Sequence, residues 1–473
     1  MIRFTINNNT TKVSGDQKPL NALYKHLRFK HPQAFYIMKK VKYGWDGYVD
    51  PLTKTGVMKT GLIQTALDYL VDVLEIEDYE IIDYRKQLEV QTIPTEVGPL
   101  SLTGKFSYQK RVIESIVYNS FLEQPHGRGI VLASMNAGKT PIMFGVHMAI
   151  KNAKTIILLN NTVLYKQMKK DLKETFPTTY GYMQGKNIKW GDIMVVMVQT
   201  LSNRLKEYEE RLQTYNILLT DECDLAANKT FETVYRALQH IPLRAGFTGT
   251  AFLRFLKKDA LRNNKMLEIF GSVLYNITMK DLEDLGVSTP IIVKLIQGNR
   301  AISQDLNFKE EWDERITYNT NRHEVILKRI KFNLNSHRKH IMVFCRFIAQ
   351  VEETYNYLSE RLPKGYSIAY AHHKSDYSTA VEGFKVGTVN VLVCSLFLKR
   401  GLNLPLITTI INAAGGEYYS APLQIAGRGV RKHKSKSKVY LEDILDNGKY
   451  LSKHSRQRIQ YYKAQNLKLR DLR

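Results

Sequence analysis

Ten short apolar runs in two groups, separated by amphipathic stretches, constrain this chain more than any other feature. The first group is "GIVLA", "KTIILLN", "IMVVMVQT", "NILLTDE" and "AGFTGT"; the second is "HIMVFCR", "YSIAYAH", "VNVLVCS", "TTIINAAG" and "SKVYLEDIL". Stretches such as "LYKQMKKDLKETF" between them read as helices. Strand–helix alternation predicts parallel sheets flanked by helices, because parallel strands need a crossover to connect them. Near residue 290 the pattern pauses and then restarts. The expected fold class is therefore α/β, with two tandem parallel-sheet lobes at residues 101–290 and 291–473 behind a small N-terminal α+β domain at residues 1–100. "VQTIPTEVGPLSLTGK", with two prolines and two glycines, reads as a linker, and the basic tail "KHSRQRIQYYKAQNLKLRDLR" reads as a helix.

Charge narrows the choice of partner. Over 473 residues the net charge is +24, which favours a polyanion, nucleic acid first. The plain alternative is a generally basic, soluble protein. In the N-terminal domain Lys39, Lys40 and Lys42 lie among Phe35, Tyr36, Tyr43 and Trp45. Such cations would hold phosphates while the rings stack on bases or on a branch point; equally, Trp45 and Tyr48 could be the core of a small domain. No apolar run reaches the roughly 20 residues that cross a bilayer, and "MIRFTINNNTTK" has no apolar segment of a secretory signal. The three cysteines Cys223, Cys345 and Cys394 lack metal spacing and fit a reducing cytoplasm.

Chemistry enters at "GRGIVLASMNAGKTPIMFGVHMAI", which reads as strand, loop and helix. A phosphate-binding loop needs that context, with backbone N–H groups and the helix N-terminus facing the phosphates. The candidate ATP-binding residues are Ala133, Ser134, Met135, Asn136, Ala137, Gly138, Lys139 and Thr140. Lys139 supplies a point charge on the β- and γ-phosphates, and Thr140 a hydroxyl for Mg²⁺. Asn136 stands where such loops usually carry glycine. Asparagine tolerates positive φ better than most residues, so the loop still reads as functional. Further on, the strand in "NILLTDECD" delivers Asp221 and Glu222 at its end, where Asp221 would hold Mg²⁺ and Glu222 polarise the attacking water. Asp224 could contact Thr248 or Thr250 in "AGFTGTAF". "APLQIAGRGVRK" offers Gln424, Arg428 and Arg431; arginines from a second lobe acting on the γ-phosphate are one reading, and a basic surface helix the other.

Taken in order, these pieces resemble the superfamily II helicases and translocases. The set is "SYQKR" with Gln109 on the adenine side, "ASMNAGKT", "LLNNTVLYKQ", "MVQTLSNR", "DECD", "TGTA", "IMVFCRFIAQVEE", "VLVCSLFLKRGLNLP" with Gly401, and "QIAGRGVR". The run "YGWDGYVDPLTKTGVMKTGL" is similar to a "WDG…G…GL" pattern ahead of the phage UvsW-like helicases, which act on branched DNA in recombination, replication and repair. The resemblance implies two RecA-like lobes, ATP and Mg²⁺ as cofactors, and a monomeric DNA motor in the host cytoplasm with no other small-molecule substrate. It implies Lys139, Asp221, Glu222, Arg428 and Arg431 as catalytic. It also implies Thr162, Gln199, Thr200, Arg346 and Ser395 as phosphate contacts. The chain departs from the pattern at Asn136, at Ser395 where threonine is common and at Asn403 where aspartate is common. Three readings stay open: a DNA motor that unwinds or branch-migrates forks and junctions, an RNA helicase, and a DNA-binding scaffold with an inactive nucleotide site.

Overall fold

The computed structural model describes residues 1–38, 44–118, 128–249, 260–298, 306–395, 404, 406–416 and 437–472. They group into two compact units: Met1–Ala133 with Gly138–Asn276, and Ser134–Ala137 with Ile277–Arg473. The N-terminal domain thus shares a unit with the first lobe.

The N-terminal domain is α+β. Its sheet runs in the order Val57–Lys59, Thr10–Gly15, Ile2–Ile6, Tyr79–Asp83. Alternation in "IRFTI" turns Ile2, Phe4 and Ile6 inward, where the helix Gln17–Leu27 adds Leu23 and Leu27. Leu267 of the first lobe packs against this same core. The approach is close at Gly61, where a Cβ would lie 2.7 Å from the Glu268 carbonyl oxygen. Polar bonds lock the seam: Asn8 Nδ2 donates to the Ile241 carbonyl at 3.0 Å, and the buried Arg128 guanidinium donates to the Asn8 carbonyl.

The stretch read as a linker is a strap instead. Gln91 N–H donates to the Ala149 carbonyl at 2.8 Å and Lys151 N–H to the Glu89 carbonyl at 2.9 Å. Val97 is buried, and Glu96–Val97 pairs with Leu100–Ser101. Prolines and glycines set the turns; the apolar residues between them hold the strap to the lobe.

The first lobe's sheet runs Asn187–Lys189, Tyr180–Gln184, Ile193–Met197, Thr155–Leu159, Ile217–Asp221, Leu243–Thr248, Arg128–Ala133, Val273–Ile277. From Tyr180–Gln184 to Arg128–Ala133 each neighbouring pair is parallel. The central strands are buried end to end, as continuous apolar runs between two helical layers should be. The second lobe's sheet runs Ile368–Ala371, Val391–Cys394, Ile341–Phe344, Thr409–Asn412, Val439–Leu445, Ile291–Gln297, Lys468–Asp471, parallel throughout. All five runs predicted in each lobe are strands.

The tail differs from expectation. Its helix, Leu451–Ala464, ends before Lys468–Asp471 joins the sheet beside Ile291–Gln297. Arg458 is fully buried, bonded to Asp443 at 3.0 Å and to the Gly416 carbonyl at 2.7 Å. A guanidinium so committed joins helix to sheet and is not part of a free basic arm. No helix among the described residues is long and apolar enough to cross a membrane.

Candidate functional site

The strand Arg128–Ala133 ends in the predicted loop, and the helix Lys139–Ala149 begins after it. Asn136 has φ 71° and Gly138 has φ 70°. The backbone therefore makes the demand at Asn136 that glycine usually meets. Asn136 Nδ2 also donates to Ser288 Oγ at 3.2 Å. Ala133, Ser134 and Ala137 are buried, while Met135, Lys139 and Thr140 are partly exposed. The Ala137 N–H closes the turn on the Ser134 carbonyl at 3.1 Å. Gln109, buried on the helix Ser107–Val117, lies against Gly138, where a Cβ would collide with its side-chain amide.

Asn136→Gly should keep activity, since glycine adopts every conformation open to asparagine. Asn136→Val should raise the KM for ATP severalfold, because a β-branched residue in the left-handed region costs about 1–2 kcal/mol or more. Steady-state ATPase assays compare the three; equal KM values would show that φ at this position is immaterial.

Asp221 sits at the end of Ile217–Asp221 and is 7% exposed. It forms an ion pair with Lys139 Nζ and accepts the Glu222 N–H at 3.0 Å. Burial alone would lower the Lys139 pKa, but Asp221, Glu222 and Asp224 outweigh it and raise the value, so the amine stays charged. Glu222 has φ 55°, a left-handed glutamate of the kind found where a site stores backbone strain. Asp224 accepts a hydrogen bond from Thr248 Oγ1 at 3.3 Å, joining the acidic cluster to the end of the neighbouring strand. Cys223 between them is fully buried, and burial pushes its thiol well up, so it is packing and not a nucleophile.

The residues matched to phosphate contacts fall into distinct settings. Thr162 is exposed at the start of Thr162–Thr175, whose cap is Asn161. Gln199 is exposed; Thr200 Oγ1 accepts the Gly185 N–H at 2.9 Å, tying it to the turn after Tyr180–Gln184. Ser395 is buried, its N–H on the Ala371 carbonyl at 3.2 Å. Arg346 lies over the rings of both Trp312 and Phe347, at 4.6 and 4.8 Å. In the N-terminal domain Trp45 is half-buried: its indole N–H donates to the Tyr48 carbonyl at 2.8 Å, and its ring meets His31 edge-on. That favours the packing role for Trp45. Among the described rings of this run, Phe35 and Tyr36 are 64% and 69% exposed and pack edge to face on each other at 5.6 Å. Lys39, Lys40, Lys42, Tyr43, Thr250, Gly401, Asn403, Gln424, Arg428 and Arg431 lie outside the described residues. The sequence reading missed the aromatic neighbours of Arg346, because Trp312 is distant along the chain and belongs to no motif.

Comparison with known proteins gives a consistent family. The pattern of the type III restriction enzyme res subunit matches residues 104–253, and that of the helicase conserved C-terminal domain matches residues 322–433. The ATP-dependent DNA helicase uvsW of Enterobacteria phage T4 is 22% identical over 349 residues, which span 65% of this chain and 66% of that protein. Among solved structures, the ATP-dependent type ISP restriction-modification enzyme LlaBIII bound to DNA aligns with TM-score 0.55 at 13% identity, covering 86% of this chain and 34% of that one. A variant of Saccharomyces cerevisiae Dbp5 bound to RNA and ADP BeF3 aligns with TM-score 0.50 at 14% identity, covering 77% of this chain and 89% of that one. These two structural likenesses are of fold.

Proposed function

Because the chain belongs to the superfamily II helicases, and among them to the UvsW-like type, we propose that it is an ATP hydrolase driving a DNA helicase or translocase that unwinds or branch-migrates forks and junctions. The observation that carries this reading is the constellation Lys139–Asp221 with Asp224–Thr248. A cation for phosphate, a carboxylate for metal and a link to the next strand meet at the ends of parallel strands, where open α/β sheets bind ligands.

Backbone N–H groups of Ser134, Met135, Asn136 and Ala137, with the helix start at Lys139, would hold the phosphates of ATP. Gln109, against Gly138, would face the adenine. Among the described residues no group of three or more His, Cys, Asp or Glu is arranged around a metal. Mg²⁺ usually takes one or two protein ligands and shares the rest with substrate phosphates and water. Thr140 and Asp221 would be those ligands; when bound, the ion neutralises charge on the phosphate oxygens. Lys139 keeps its charge toward the γ-phosphate, Glu222 polarises the attacking water, and Arg428 and Arg431 supply the charge that builds in the transition state. Thr162, Gln199, Thr200, Arg346 and Ser395 would grip the strand backbone without reading sequence, as a translocase requires. Fork and junction preference is assigned to the N-terminal domain, through Phe35, Tyr36 and the lysines that follow.

Measuring ATPase stimulation by single-stranded DNA, duplex, fork, four-way junction and RNA tests the proposal. Forks and junctions should stimulate most. Preferential stimulation by RNA would move the reading to an RNA helicase, and no turnover with any of them to a nucleotide-inactive scaffold.

A further inference from the structure

The second lobe carries a row of rings that no sequence motif accounts for. Tyr450, Phe308, Trp312 and Phe347 follow one another at centroid distances of 5.8, 5.6 and 5.3 Å. The row is assembled from three chain segments, so the fold builds it. Trp312 at its middle is 2% exposed, whereas Phe308 and Phe347 on either side are 37% and 46% exposed. Trp312 itself is covered, and the phenylalanines on either side of it each keep part of their surface open.

Its surroundings are rigid and cationic. A Cβ on Gly416 would sit 3.0 Å from the Arg346 guanidinium and 3.1 Å from the Trp312 ring, so the backbone passes close to both. Glu311, 1% exposed, accepts the Lys449 and Leu451 N–H groups at 3.0 Å each, which fixes the segment bearing Tyr450 and satisfies the buried acid. Arg346 lies over Trp312 and Phe347 at one end, and Lys449 lies 5.7 Å from the Tyr450 ring at the other. Asp313 and Glu314 follow Trp312 in the chain, so the surface is not uniformly basic; the two cations lie on the rings themselves.

From this arrangement we propose that the second lobe stacks the bases of single-stranded DNA on Phe347 and Phe308, with Arg346 and Lys449 holding the flanking phosphates. The inference rests on the reading of the chain as a DNA motor and deepens it: the strand is held by its bases as well as by its backbone. Exposed aromatics interleaved with cations are the recurring means of holding single strands without sequence preference. The rings are held in place before the strand arrives, which limits the ordering cost of binding.

The test compares binding of a thymidine oligonucleotide with that of an abasic deoxyribose-phosphate strand of equal length, by fluorescence anisotropy. Phe347→Ala should weaken binding of the thymidine strand about tenfold and leave the abasic strand unchanged, with Phe308→Ala showing the same pattern more weakly. Phe347→Tyr, which keeps a ring, should bind as the wild type does. Each phenylalanine packs on Trp312, so truncation uncovers part of that buried ring, and circular dichroism must show each variant folded before its binding is compared. Unchanged thymidine binding in Phe347→Ala, or equal loss on both strands, overturns the platform and leaves the motor reading standing. Failure of the wild-type protein to bind any DNA overturns the motor reading and the platform with it.

Discussion

Lys139→Ala should lower ATP turnover by about two to three orders of magnitude, the scale seen when one charge-stabilising group is removed from a transition state. The lysine is the loop's only side-chain cation, and its pKa is held up by three carboxylates. Removing it also strips Asp221 of its ion pair at a site with little access to water. Breaking such a buried pair costs about 3 kcal/mol of stability, so lost turnover could reflect unfolding. Lys139→Arg keeps the charge but not the compact ammonium, and a guanidinium fits this crowded turn poorly. It should therefore restore thermal stability more than turnover. DNA affinity should stay near wild type in both, because the amine faces Asp221 and no DNA contact is assigned to it. Undiminished ATPase in the alanine variant would sink the nucleotide-site assignment as a whole.

Much of this site is legible in sequence because each part is local. A strand, a tight turn and a helix start are encoded within about two dozen residues, and the need for positive φ at Asn136 shows in the choice of asparagine. The parallel strands are equally plain, since burial on both faces makes them continuous apolar runs. What the sequence hides is assembled from distant segments. The hairpin at Tyr180–Gln184 and Asn187–Lys189 is short and half polar, and its link to Thr200 spans fifteen residues. The strand Lys468–Asp471 carries charge on an edge position, where alternation is weakest. Arg458 looks like any basic tail residue until Asp443 is brought beside it. Trp45 reads equally as a stacking ring or a packing ring until the Tyr48 carbonyl its indole serves comes into view. The ladder through Phe308, Trp312 and Phe347 exists in no single window of the chain.

Separating the N-terminal domain from the motor should abolish preference for forks and junctions. From sequence alone, a chain beginning near Leu102 keeps each nucleotide-site motif and should hydrolyse ATP. The structure adds a cost to that deletion. It uncovers Leu267 and takes from Arg128 the Asn8 carbonyl that its buried guanidinium uses. It also removes the strap from the helix Lys139–Ala149, whose first residues are the site itself. The truncated protein should therefore melt several degrees lower and turn over ATP below the wild-type rate. A subtler lesion distinguishes lost docking from lost residues. Gly61→Val leaves the domain present but drives side-chain atoms into the Leu267–Glu268 backbone, an overpacking worth about 1–3 kcal/mol. It should keep ATPase on single-stranded DNA and lose preference for junctions, measured as the ratio of the two stimulated rates. If the domain acts only by supplying cations and rings, Gly61→Val would keep that ratio and only the deletion would lose it. If the truncated protein remodels junctions as well as the full chain does, the domain has no part in branch recognition. The exposed Phe35 and Tyr36 would then serve another partner.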